Sequence, residues 1–231
     1  MVSKEESLKR NGGRAEAVGL GVGAAGLSEA IAGLDRAASL GQDFERTPAD
    51  WVTVWRECSP EELIVVAQHG LKVPAPENRP PEYRQEMELL DSFRPPAVSE
   101  RGISRLNSIY ASPAPEDVPC LPHRRERLVV EMRIDPRAAY VGDMDFITGL
   151  ISFMGVNKFG IEQFHGAYRK YWDSVMPLAY FLERYERQET PDGGHWRAGR
   201  SVAERLPHTY YAPEVMIMAP LVSQRHIRLA R

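Results

Sequence analysis

The chain has 231 residues, of which 43% are hydrophobic and 26% charged, and a net charge of −3. That is room for one large domain with an appendage, and no global basic field calls for nucleic acid or an anionic membrane. Two cysteines, Cys58 and Cys120, are too few for a secreted disulfide framework and are expected to be thiols. No stretch approaches the ~18 uncharged apolar residues of a spanning helix, so no membrane span is expected.

Residues 1–47 are rich in Gly, Ala and Ser, with no aromatic before Phe44. So little apolar bulk reads as a flexible or loosely docked leader, with one or two weak helices between Ala15 and Ala38. Gly21, Gly23 and Gly26 form a GxGxxG, but a poor strand precedes it and no alternating β/α pattern follows, so it belongs to the leader rather than to a dinucleotide-binding turn. Met1 to Glu6 lacks the apolar core of a standard signal peptide.

The ordered domain is expected over residues 48–231. Trp51 to Arg56 alternates in the strand manner. Ser59-Pro60-Glu61-Glu62 is a helix start with a capping box; Leu63, Val66 and Ala67 face inward, and His69-Gly70 closes the helix on a left-handed glycine. A short helix is expected over Tyr83 to Phe93. Leu106 to Pro113 reads as a strand stopped by proline, and Arg127 to Ile134 is the clearest strand of the chain. Residues 144–187 carry helical spacing, with Tyr168, Tyr171, Trp172, Tyr180, Phe181 and Tyr185 as a core stripe. Val215 to Met218 is a buried strand and Ile227 to Leu229 an edge strand. Strands separated by irregular helical stretches predict an α+β fold.

The six histidines form no Ser/His/Asp or HExxH constellation. The basic run from His123 to Arg127 reads as a solvated turn, since no aromatic interleaves it. Cys58 follows Arg56-Glu57 and reads as a buried cysteine rather than a nucleophile.

Several segments, in order, resemble the cholera- and pertussis-type ADP-ribosyltransferase toxins. Val54-Trp55-Arg56-Glu57-Cys58-Ser59-Pro60-Glu61-Glu62-Leu63, ending at His69-Gly70-Leu71, is similar to their first strand and helix. Asn107-Ser108-Ile109-Tyr110-Ala111-Ser112-Pro113 resembles their Ser-Thr-Ser strand, and Val129 to Asp135 the next one. Tyr210-Tyr211-Ala212-Pro213-Glu214-Val215-Met216-Ile217, with Val222 to Arg228 after it, resembles the catalytic-glutamate strand and the closing strand.

The resemblance covers residues 50–229. It implies an ADP-ribosyltransferase-like split β-sandwich with short helices, as a single domain behind the leader. It implies an enzyme that takes NAD as substrate, without a metal, and transfers ADP-ribose to an acceptor macromolecule, protein first, with nucleic acid left open. It places the chain among toxins and effectors, cytoplasmic or delivered into a host cell without a classical signal peptide. Arg56 then binds NAD phosphate or ribose, Glu214 is the catalytic glutamate, and Ser112 is the serine that holds it. Tyr110 and Tyr140 are candidates to stack on nicotinamide; Tyr210 and Tyr211 are candidates to touch the acceptor, at the end of a recognition loop over residues 198–212. Ala212 stands where arginine-modifying members carry Glu, which implies a non-arginine acceptor. An RNA 2′-phosphotransferase-like enzyme, which would need His69 or His123 beside Arg56, and a catalytically silent binding module are the alternatives on the same fold.

Overall fold

The computed structural model describes residues 24–40, 48–118, 128–148, 165–188, 195–199 and 210–230. In chain order these form α1 (Ala24–Leu40), β1 (Val52–Cys58), α2 (Pro60–His69), β2 (Leu71–Lys72), α3 (Pro81–Ser92), α4 (Pro96–Glu100), β3 (Ile109–Ala111), β4 (Leu128–Ile134) and β5 (Ala139–Asp143). There follow α5 (His165–Ser174), β6 (Met176–Pro177), α6 (Leu178–Arg184), β7 (Tyr185–Gln188), β8 (His195–Ala198), β9 (Tyr210–Tyr211), β10 (Pro213–Ile217), β11 (Leu221–Val222) and β12 (Ile227–Leu229). The fold is α+β, with antiparallel sheets throughout. Among the described residues no helix is long and apolar enough to cross a membrane.

One sheet runs β1-β4-β12 and a second β3-β10-β5-β6. A single bridge joins them: Trp55 N donates to Ser112 O at 2.9 Å and Ser112 N to Trp55 O at 2.7 Å. The main core lies between the sheets, where Val54, Val130 and Met132 meet Ala111, Val141 and Val215, with Leu63 and Val66 of α2 closing one side. A second core backs the other face of β10. There Met216 meets Met87 and Leu90 of α3 and Tyr168, Tyr171 and Trp172 of α5. The aromatic stripe is therefore core, except for exposed Tyr180. A third sheet, β7-β8-β9, joins the main core through Tyr185, Ala198 and Tyr211.

The leader contributes to this packing. Leu34 of α1 is buried in the main core and Leu27 and Ile31 pack against it, on α2 and β12. Apolar residues spaced by three and four give α1 one sticky face despite its small residues. Cys58 is buried in the same core. Cys120, the basic run 123–127 and most of the segment 198–212, expected as a recognition loop, lie outside the described residues.

The start of α2 forms as its sequence requires, with one difference. Ser59 Oγ accepts from Glu62 N at 3.1 Å, but the Glu62 carboxylate, instead of turning back to the cap, accepts from Arg56 Nη2 at 2.8 Å. At the other end Gly70 has φ 74° and ψ −179°, not the left-handed helical cap expected, because the chain runs straight into β2. That region is open essentially to glycine alone, and a Cβ there would lie 2.4 Å from Val222 O in the paired strand. Gly70→Ala is expected to cost about 2–4 kcal/mol, read as a lower urea midpoint with unchanged m-value.

Candidate functional site

Arg56 and Glu214 sit on the strands that flank β3. The β10–β3 register pairs Val215 with Ala111, so the next step sets Glu214 beside Ser112, the residue that bridges to Trp55. Two strand spacings then separate the Arg56 and Glu214 backbones by roughly 10 Å. Strand alternation puts Arg56 in line with Val54 and Cys58, and Glu214 in line with Met216, on nominally opposite faces. The split between the sheets changes that. The β1–β3 pairing stops after one bridge, and Arg56 Nη1 donates to Tyr110 O at 3.0 Å, where a continuing ladder would place a backbone N–H. The Arg56 side chain is 24% exposed, with Glu62 as its counter-ion, and its positive charge is the weakest of the influences that favour ionised Glu214.

Glu214 has its own cation. Arg105 Nη1 lies 2.7 Å from Oε2 and Nη2 donates to Oε1 at 3.0 Å, a two-pronged pair. Tyr171 OH donates to Oε2 at 3.3 Å. The Arg105 guanidinium lies between the Tyr110 ring, 4.9 Å away, and the Tyr171 ring, 5.2 Å away. Gly142 faces Glu214 across the β10–β5 ladder, and a Cβ there would come within 2.9 Å of the Tyr171 ring, so only glycine admits that tyrosine. Burial pushes the Glu214 carboxyl above its usual value, and the Arg105 cation, the Tyr171 hydroxyl and the more distant Arg56 pull against the shift.

The other expected site residues divide. Ser112 reaches the site by its backbone, but its Oγ donates to Asp117 O at 3.1 Å and makes no bond to Glu214. Tyr110 presents one ring face to Arg105 and donates its hydroxyl to Arg105 O. Tyr140 is half-buried, opposite Met216 and against the second core. Tyr210 is 51% exposed and open to a partner. Tyr211 is 2% exposed and donates to Ser174 O, so the expected acceptor contact falls to Tyr210 alone: in β9 successive side chains take opposite sides. Ala212 is tied to the end of β5, its N–H to Asp143 Oδ1 at 3.1 Å and its O to Met144 N at 2.8 Å. His69 is exposed at the end of α2 away from Glu62 and Arg56, and His123 lies outside the described residues.

Arg105 and Tyr171 escaped sequence reading as site residues. Arg105 lies in an irregular segment 109 positions from its partner, and Tyr171 carries the spacing of a core residue. No family model, curated protein or solved structure matches the chain.

Proposed function

We propose that the chain is an NAD-consuming mono-ADP-ribosyltransferase on a split β-sandwich, with a non-arginine acceptor. The observation that supports this is a partly exposed arginine side chain and a confined carboxylate on the two strands flanking β3, at the point where the sheets part. Arg56 offers a planar fork of donors to a pyrophosphate. Glu214 faces a ribose: the bond from C1′ to the cationic nicotinamide nitrogen breaks, the electron pair leaves with neutral nicotinamide, and the carboxylate stabilises the positive charge that develops on the sugar. The acceptor atom then bonds to C1′ and gives up its proton. Tyr210 is the contact for that acceptor, a macromolecule and in the first place a protein, in the chain's own cytoplasm or in that of a host cell.

The test is thermal unfolding in increasing NAD. A ligand at a hundredfold excess over Kd adds about 2.7 kcal/mol to the native state, which raises Tm by roughly 5–10 °C in a chain of this size. A rise accompanied by nicotinamide release is expected. A second reading, a silent binding module, is favoured by one observation: Arg105 and Tyr171 already engage both oxygens of Glu214. A Tm rise without nicotinamide release selects it; no rise at millimolar NAD removes NAD from the account.

A further inference from the structure

Arg105 is anchored through its backbone and its two terminal guanidinium nitrogens, while its buried Nε has no hydrogen-bond partner. Its N–H donates to Asp91 Oδ1 at 3.2 Å, and its carbonyl accepts from Ser108 Oγ at 3.2 Å and from Tyr110 OH. The neighbouring backbone is strapped down as well, Ile103 O by Arg94 Nη1 at 2.7 Å and Leu106 O by Arg79 Nη2 at 2.9 Å. The guanidinium is clamped between two rings. All this supports a buried ion pair, and such a pair adds little net stability over an apolar replacement. Its yield is orientation.

An ionised carboxylate has about four acceptor positions. Arg105 Nη2 takes one on Oε1, Nη1 lies 2.7 Å from Oε2 while donating to Met144 Sδ at 3.2 Å, and Tyr171 takes one on Oε2. Oε1, the oxygen that Tyr171 does not touch, keeps one open acceptor position. Arg105 is 3% exposed and Glu214 14%, so the arginine supports the carboxylate from the inner side and does not stand in its mouth.

We propose that Arg105 is the positioning residue of Glu214: it turns the carboxylate so that the open acceptor position on Oε1 meets the substrate, and the site takes a ligand that offers a hydroxyl there. This rests on the reading of Glu214 as the catalytic carboxylate. The charged and titratable groups around Glu214 are Arg105 itself, Tyr110 on β3, Tyr171 on α5 and Arg56 on β1, while Glu86 and Tyr83 of α3 face Arg105. Of these, Arg105 and Tyr171 touch the carboxylate and favour its ionised form.

The experiment is nicotinamide release from NAD across pH by the full chain, by Arg105→Lys and by Tyr171→Phe. Glu214 acts ionised, so activity fails as pH falls through its titration. Loss of the two-pronged donor raises that titration further. Arg105→Lys is expected to lower kcat about ten- to a hundredfold, with KM for NAD within about twofold, and to move the acid limb to higher pH. Tyr171→Phe, which keeps the ion pair and removes the hydroxyl donor, moves the limb the same way, and decides the matter alone should Arg105→Lys not fold. An active full chain with unmoved acid limbs in the folded variants, or with the loss in KM alone, overturns the role of Arg105 and leaves the proposed function standing. A full chain that releases no nicotinamide overturns the proposed function and this role with it.

Discussion

Glu214→Gln is expected to abolish nicotinamide release almost entirely while NAD still raises the unfolding temperature. The substitution keeps the shape of the side chain and removes the negative charge that faces the sugar as its bond to nicotinamide breaks. A charge or donor aimed at the transition state is typically worth about 3–4 kcal/mol, or roughly 10² to 10³ in rate. Binding rests on Arg56, which lies on another strand and has its own counter-ion in Glu62, so NAD-dependent stabilisation survives. Release assayed at saturating NAD, beside a thermal titration of the same preparation, separates the two effects. An unchanged rate in a folded Glu214→Gln protein removes the carboxylate from the chemistry.

The second large effect is on stability. Arg105→Met leaves the Glu214 carboxylate buried without its cation, and breaking a buried pair from one side costs about 3–5 kcal/mol. The double variant Arg105→Met/Glu214→Gln removes the stranded charge along with its partner. It is expected to recover most of that loss, because Met fills the guanidinium's place between the Tyr110 and Tyr171 rings. Urea unfolding of the wild type, both single variants and the double variant closes a cycle whose coupling is expected at about 2–3 kcal/mol. Additive losses would mean that Arg105 and Glu214 do not interact in solution.

How far these features were legible depended on how local their causes are. Ser59-Pro60 announces α2 because the cap, the fixed φ and the first-turn acids act within one turn of chain. The strands β1, β4 and β10 show themselves by apolar alternation or by an unbroken apolar run. Glu62 was legible as a capping-box residue, but its carboxylate is taken by Arg56 on a different element, a tertiary pull that a local pattern does not contain. The same holds for Gly70, whose backbone follows from the strand pair β2–β11 rather than from the helix it ends. Leu34, in a stretch of small residues, finds the main core only because α2 and β12 present a surface to it.

In the site, Arg56 and Glu214 were reached through the resemblance of their flanking segments. Ser112 stands in the ladder between their strands, yet its hydroxyl donates to Asp117 O. Arg105 carried no signal, since nothing near it in sequence indicates a carboxylate. One cue did exist: among the uncharged residues of the stretch from Ile103 to Ala111, a lone arginine four residues before β3 has to find an anion if it is buried.

Both proposed roles, of Arg56 and of Glu214, require one NAD lying across the split where β1 leaves β3. The most direct measurement is a crystal structure of Glu214→Gln grown with NAD, in which the reactants cannot turn over. The expected result is pyrophosphate oxygens on the Arg56 guanidinium and the nicotinamide ribose within hydrogen-bond distance of residue 214. A dinucleotide bound elsewhere, with Arg56 still paired to Glu62 and nothing in the split, would contradict it.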